Sequence, residues 1–210
     1  MILIIPITFY FLFSYLYYNE NSMRLAFINS FLFFSFFIFL ITEIFSLFTC
    51  LTDISLFFSY SILTIIFFSF PRKNYWPNID LDLFEKILLF TIVFVSLITL
   101  ITALASPPNT WDSMTYHMSR VEFWIQNKDI NFYNTNNPRQ NIFSPLSEFM
   151  ILHLQILSKS DNYANLISWT TLIVSMITVS LICKEFGLDR KLQILSAFFI
   201  CSIPSVILQA

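Results

Sequence analysis

Side chains suited to acid–base chemistry occur together in one polar stretch, residues 107–161. Asp112 is followed by Tyr116 and Arg120 at intervals of four residues, which places all three on one face if the segment is helical. A carboxylate can accept a proton from an attacking hydroxyl, and a guanidinium can bind a phosphate through two hydrogen bonds. This stretch is therefore the candidate site.

The same stretch supplies further candidates for substrate binding. His117 lies beside the first group, and Arg139 and Gln140 follow in an Asn- and aromatic-rich segment typical of turns. A second predicted helix carries Glu148 and His153, but their spacing does not suit two metal ligands on one helical face. We therefore predict no metal site.

Each of these residues also has a structural interpretation. Asp112, at the start of a helix, could cap free backbone amides. Arg120 could pair with lipid phosphates, and Arg139 could anchor the loop through carbonyl groups. The two histidines fit interfacial or packed positions, and Glu148 fits a solvated helix position. These alternatives stay open on the sequence alone.

A helical wheel over residues 112–127 separates two faces. The apolar stripe comprises Met114, Met118, Val121 and Ile125. The polar side comprises Asp112, Ser113, Thr115, Tyr116, Ser119, Arg120, Glu122 and Gln126. Pro107 and Pro108 must end the preceding span, and Thr110 to Ser113 can cap a new helix. We predict an interfacial helix with its polar side toward water.

The composition determines which kind of protein must position these residues. Of 210 residues, 57% are hydrophobic and 11% are charged, whereas soluble domains have about 25% charged residues. The single Gly excludes a Gly-rich phosphate-binding loop. A net charge of −2 without a basic cluster makes nucleic acid an unsuitable partner. The chain is that of an integral membrane protein.

Apolar segments define the expected fold class, an all-α polytopic membrane protein. A hydrocarbon core needs about 20 apolar residues per helix. Five segments qualify, and a sixth begins near Leu192: 2–18, 25–49, 54–70, 87–106, 162–183 and 192–210. Because the last is still apolar at residue 210, we expect an incomplete bundle, whose activity would require further helices. Glu43, inside the second span, is expected to reach the interface.

These spans divide the chain into three parts. Residues 1–86 hold three N-terminal spans and a cytoplasmic connection. Residues 87–161 hold the first core helix and the polar loop with its interfacial helices, and residues 162–210 hold the later spans.

Basic residues predict the orientation in the membrane. Seven lie in alternate short connections: Arg24, Arg72, Lys73, Lys86, Lys184, Arg190 and Lys191. The positive-inside rule places these connections in the cytoplasm. We therefore expect a multi-pass protein of the plasma (inner) membrane with loop 107–161 on the extracytoplasmic side.

The polar loop resembles the first extracytoplasmic loop of GT-C membrane glycosyltransferases, a class that includes protein O-mannosyltransferases and family 39-like bacterial enzymes. The residues that carry the resemblance are PPNTWDSMTYH at 107–117, then Arg120, Trp124, Arg139 and Gln140. It covers residues 87–183. Ser113 stands where the wider class often has a second acidic residue, so the sequence does not support a divalent metal.

The resemblance implies transfer of a sugar from a polyprenyl-phosphate donor to an acceptor hydroxyl at the outer membrane face, with inversion. Asp112 would be the catalytic base, and the implied substrate-binding residues are Tyr116, His117, Arg120, Arg139 and Gln140. No cofactor is implied. The partners would be the lipid-linked donor, membrane lipid, and a glycan, lipid or protein acceptor. The alternative is a transport or structural membrane protein with a non-catalytic loop, although Glu43 is the one clear ionisable group within a span.

Overall fold

The computed structural model describes residues 1–20, 22–71 and 80–204, and within these ranges the chain is all-helical, without strands. This confirms the all-α class. The helices are α1 (Ile4–Asn19), α2 (Met23–Leu47), α3 (Asp53–Phe68), α4 (Leu83–Ala105), α5 (Met118–Asn127), α6 (Arg139–Ile142), α7 (Leu146–Ser158), α8 (Leu166–Glu185) and α9 (Arg190–Ser202). A π-helical turn, Ser113–His117, leads directly into α5.

Three of these helices are long and apolar enough to cross a membrane. They are α2, α4 and α8, with 25, 23 and 20 residues and mean hydropathies of 2.2, 2.8 and 2.0. Helices α1 and α3 have 16 residues each, so each is about 24 Å long, less than a typical hydrocarbon core. Spanning by α1, α3 and α9 therefore stays a prediction. Residues 205–210 of the predicted sixth span lie outside the described residues.

Side-chain caps account for where several helices begin. The Ser22 hydroxyl accepts from the backbone amide of Leu25 at the start of α2. Reciprocal capping boxes start α3, at Thr52, and α4, at Asp82. Such caps satisfy amides that the first helical turn leaves without partners. The connection between α2 and α3 is short and comprises residues 48–52.

The helices pack around two apolar clusters. The first joins α1, α2 and α3 to α5 and α7, and its most buried members include Leu12, Leu56, Tyr60, Val121 and Leu152. The second joins α8 and α9 with α4 around a smaller set: Leu172, Met176, Ala197 and Cys201. Helix α7 of the polar loop therefore packs against α2 and α3 and shares their core.

Polar contacts fasten the loop to one end of the bundle. The Ile130 amide donates to the Ser46 hydroxyl at the end of α2, over 2.9 Å. Lys159 Nζ lies 2.9 Å from Asp53 Oδ2 at the start of α3. These contacts attach the polar loop to the end of α2 and the start of α3.

The opposite end of the bundle carries ion pairs between α4 and α9. Arg190 binds both carboxylate oxygens of the buried Glu85, at 2.7 and 2.8 Å. Lys191 Nζ lies 2.7 Å from Asp82. The predicted cytoplasmic Arg72 and Lys73 lie outside the described residues.

Candidate functional site

The candidate site begins just beyond the end of α4. The Thr110 hydroxyl accepts from the Ser113 amide at 3.2 Å and lies 2.7 Å from the Ser113 hydroxyl. Thr110 thus serves as a cap, at the start that the sequence predicts. Asp112 makes no capping hydrogen bond, and its side chain is exposed. Its carboxylate is therefore available for another role.

A π-helical turn follows Asp112 and changes the register of the helix. The Met118 amide donates to the Ser113 carbonyl five residues earlier, and the Ser119 hydroxyl donates to the Met114 carbonyl at 2.7 Å. A π turn contains more residues per turn than an α-helix, so a uniform wheel misplaces side chains around it. The predicted water-facing position of Arg120 is wrong, because its side chain is only 3% exposed and binds other parts of the loop. Met114, on the predicted apolar stripe, is 59% exposed.

Two exposed charged residues, Asp112 and Arg139, lie beside Tyr116, which is itself only 8% exposed. The pKa of the Tyr116 phenol is raised, first by burial and then by the charge of Asp112 and a hydrogen bond with it. The guanidinium carbon of Arg139 lies 5.8 Å from the centroid of the Tyr116 ring, a cation–π distance. The other side of Tyr116 meets the edge of Phe143. An anionic and a cationic side chain thus flank one phenol.

A buried carboxylate, Glu148, lies beneath this group. Its side chain is 1% exposed, and Oε1 lies 2.6 Å from His117 Nδ1 and 3.3 Å from Arg120 Nη1. The Ser147 hydroxyl donates to Oε2 at 2.9 Å. The solvated position that the sequence suggested for Glu148 is wrong, because α7 packs inward and not along the surface.

Arg120 connects three elements of the loop. Its Nε donates to the Gln140 carbonyl and its Nη2 to the Phe143 carbonyl, the latter over 2.9 Å. The guanidinium carbon lies 5.1 Å from the centroid of the Trp124 ring. With Glu148 as the third partner, this guanidinium holds α5, α6 and α7 together.

Gln140 has a comparable connecting role. Its side-chain amide donates to the Thr115 carbonyl at 2.8 Å. Its side-chain oxygen accepts from the hydroxyls of Tyr133 and Thr135, at 3.0 and 2.7 Å. Gln140 therefore fixes the π-helical turn against the segment that precedes α6.

A cavity of about 560 Å³ opens beside Arg120 and Gln140. Its wall includes Glu43, near the end of α2, together with Asn141 and Phe143. The sequence predicts Glu43 only as an interfacial carboxylate and does not link it with the loop. The signal available in the sequence was its position within a turn of the end of α2, where the loop must attach.

His153 occupies a packed position, one of the two that the sequence allowed. It is fully buried, with Nδ1 2.7 Å from the Tyr60 hydroxyl and Nε2 2.9 Å from the Thr42 hydroxyl. Because the Thr42 hydroxyl donates to the Ile38 carbonyl, it must accept from Nε2–H of the imidazole. Nδ1 then accepts from Tyr60, and both ring nitrogens of a neutral imidazole are satisfied.

The six predicted site residues are brought into one region. Asp112 and Arg139 are exposed beside the buried Tyr116. His117 and Arg120 contact Glu148, and Gln140 contacts Thr115. Within the described ranges, no three His, Cys, Asp or Glu side chains are arranged to hold a metal ion. No family model, curated protein or solved structure matches this chain.

Proposed function

We propose that this chain contributes the outer-face site of a membrane glycosyltransferase of the GT-C type, which moves a sugar from a polyprenyl-phosphate donor to an acceptor hydroxyl with inversion. The observation that carries the proposal is the state of Asp112. Its carboxylate is exposed, is not used as a helix cap, and stands beside Tyr116 and Arg139 just beyond the spanning helix α4.

The proposed reaction needs one proton acceptor and one group that receives negative charge. The acceptor hydroxyl gives its proton to the Asp112 carboxylate while its oxygen attacks the anomeric carbon of the sugar. The bond from that carbon to the phosphate oxygen breaks, and its electron pair leaves with the polyprenyl phosphate. Arg139 is the exposed guanidinium suited to bind that phosphate.

Tyr116 has a positioning role in this proposal. A tyrosine phenol is protonated at neutral pH, and the pKa of Tyr116 is raised further, so its hydroxyl can donate to the Asp112 carboxylate and orient it. Arg120 and Gln140 act through the scaffold, because their polar groups are already bonded to Glu148 and to neighbouring carbonyls and hydroxyls. His117 is bonded to Glu148 through Nδ1 and orients that carboxylate.

Replacement of Asp112 by Asn tests the proposed base. Asn is close to Asp in size but cannot take a proton at neutral pH, so we expect transfer to fall by roughly 10²–10⁴-fold. The measurement is transfer of a tritiated sugar from polyprenyl phosphate in membranes that contain the protein at its full natural length, with variant levels matched.

Thr110→Ala is the matched control, since it removes the observed cap two residues away. We expect it to lower the free energy of unfolding by about 1 kcal/mol and to leave transfer per folded molecule unchanged. Near-normal transfer by Asp112→Asn, or no transfer by the unmodified protein, would contradict the proposal.

A further inference from the structure

A second cavity, of about 640 Å³, extends along the bundle from the end opposite the polar loop to Trp169, near the start of α8. It is bounded by α4, α8, α9 and the start of α2. Its walls are largely apolar and include Ile92, Trp169, Ile173 and Met176. The Trp169 indole nitrogen donates to the Ser96 carbonyl at 2.9 Å, which fixes the ring in the wall. A cavity of this size suits one amphiphilic molecule.

Arg24 lines the polar end of this cavity. Its guanidinium donates to the Ser180 carbonyl and hydroxyl, at 3.1 and 3.2 Å, and to the Gln193 side-chain oxygen at 2.8 Å. All three acceptors are uncharged. Glu185 attracts the Arg24 guanidinium electrostatically but forms no ion pair with it. Among the described residues, no carboxylate lies within 4 Å of the guanidinium nitrogens.

Arg190, which lines the same cavity, provides the contrast. Both oxygens of Glu85 bind its guanidinium, so its charge is balanced within the protein. The two arginines therefore differ in one respect: within the part of the chain that the structure describes, no carboxylate lies within 4 Å of the Arg24 guanidinium. A buried or half-buried cation of this kind favours an anionic ligand.

The depth of Arg24 identifies the class of that ligand. Arg24 is the second residue of α2, a 25-residue helix long enough to span a membrane. Such a position coincides with the phosphate layer of a bilayer, whereas the apolar walls extend toward the hydrocarbon region. Cationic pockets between spanning helices bind anionic lipid headgroups in this arrangement.

We propose that this cavity binds a membrane phospholipid of net negative charge, with its phosphate at Arg24 and an acyl chain along Trp169. The site is separate from Asp112 and does not depend on transfer activity. It would fasten α2 to α8 and α9 in the membrane.

Contact quenching of Trp169 measures the proposed binding. The 210-residue chain is reconstituted in phosphatidylcholine vesicles. Increasing fractions of a lipid brominated on one acyl chain are then added, either phosphatidylglycerol or phosphatidylcholine. The Trp169 signal is the difference between the unmodified protein and Trp169→Phe, which cancels quenching of the other tryptophans. We expect brominated phosphatidylglycerol to quench this signal at an approximately fivefold lower fraction than brominated phosphatidylcholine.

Arg24→Gln should abolish this preference, so that the two brominated lipids quench the Trp169 signal at about equal fractions. The positive charge that selects an anionic lipid is absent in this variant. Lys184→Gln is the matched control: it removes one positive charge at the same end from an exposed residue of α8 that is outside the cavity wall. The control should keep the preference. A preference that persists in Arg24→Gln, or disappears equally in Lys184→Gln, would overturn the proposal.

A competition measurement on the unmodified protein covers the case in which Arg24→Gln does not fold. Unbrominated phosphatidylglycerol should restore Trp169 fluorescence, whereas inorganic phosphate and phosphatidylcholine should not. Restoration by inorganic phosphate would show a phosphate site without lipid selectivity. The absence of any restoration would show that another segment of protein fills the cavity, and either result would contradict the proposal.

Discussion

Glu148 is the residue on which two potentially cationic side chains of the loop converge. Arg120 is 3% exposed and Glu148 1% exposed, so neither charge is well solvated. Removing one partner of a buried pair leaves the other uncompensated, which costs more than the pair itself contributes. We expect Glu148→Ala to lower the free energy of unfolding by about 3–5 kcal/mol.

Equilibrium unfolding in detergent, followed by circular dichroism, measures this effect. Asp161→Ala is the control, since it removes a carboxylate that is exposed on the same loop, and we expect a change within about 0.5 kcal/mol. Equal, small effects of the two substitutions would show that water reaches Glu148 and compensates the loss.

The sequence predicted the types of residue in the site better than their surroundings. Asp112, Tyr116 and Arg139 could be singled out because their chemistry and spacing are visible in the chain. The burial of Arg120 could not be predicted, since its partners are carbonyls of residues 140 and 143 and a carboxylate on another helix. These partners come together only through the tertiary fold.

Helix α7 is joined to the bundle by a buried polar contact that the sequence does not reveal. His153 receives a hydrogen bond from Tyr60 in α3 and donates one to Thr42 in α2, so a single imidazole joins three helices. In Tyr60→Phe one ring nitrogen loses its partner inside the core. We expect the free energy of unfolding to fall by about 1–3 kcal/mol.

Hydrogen exchange of the α7 amides distinguishes this effect from a general loss of stability. Tyr60→Phe should increase exchange in α7 more than in α8, because the lost hydrogen bond joins α7 to α3 and does not involve α8. Tyr10→Phe is the control, since Tyr10 is 56% exposed, and it should alter neither helix. Uniform acceleration across α7 and α8 would contradict a local role for Tyr60.

At the scale of elements, the sequence predicts the long apolar helices but not the π-helical turn that interrupts the regular helix before α5. The spans predicted at 25–49, 87–106 and 162–183 correspond to α2, α4 and α8, because long apolar runs are a strong local signal. The π-helical turn at Ser113–His117 has no such signal. It is stabilised by contacts of Thr115 and His117 with α6 and α7, which are distant in the chain.

At the scale of the whole molecule, polar contacts show which helix ends lie at the same end of the bundle. Ser46 and Asp53 contact the polar loop, whereas Arg24 in α2 contacts Ser180 near the end of α8. The loop therefore lies at one end of the bundle, and the end of α8 lies at the other. Which end faces the cytoplasm stays a prediction from the basic residues.

Thiol labelling in intact cells tests that orientation. Each variant carries one cysteine, and the remaining native cysteines are replaced. The first variant keeps Cys50, which is exposed. The second carries Asn136→Cys in the loop, and the third carries Glu185→Cys at the end of α8. The positive-inside rule predicts that a membrane-impermeant maleimide labels Cys50 and Asn136→Cys from outside. Glu185→Cys should react only after the cells are permeabilised. Its labelling at that stage is the control that shows its thiol to be reactive. The reverse pattern would place Asp112 in the cytoplasm, away from a sugar carried at the outer face, and would contradict both the orientation and the proposed transfer reaction.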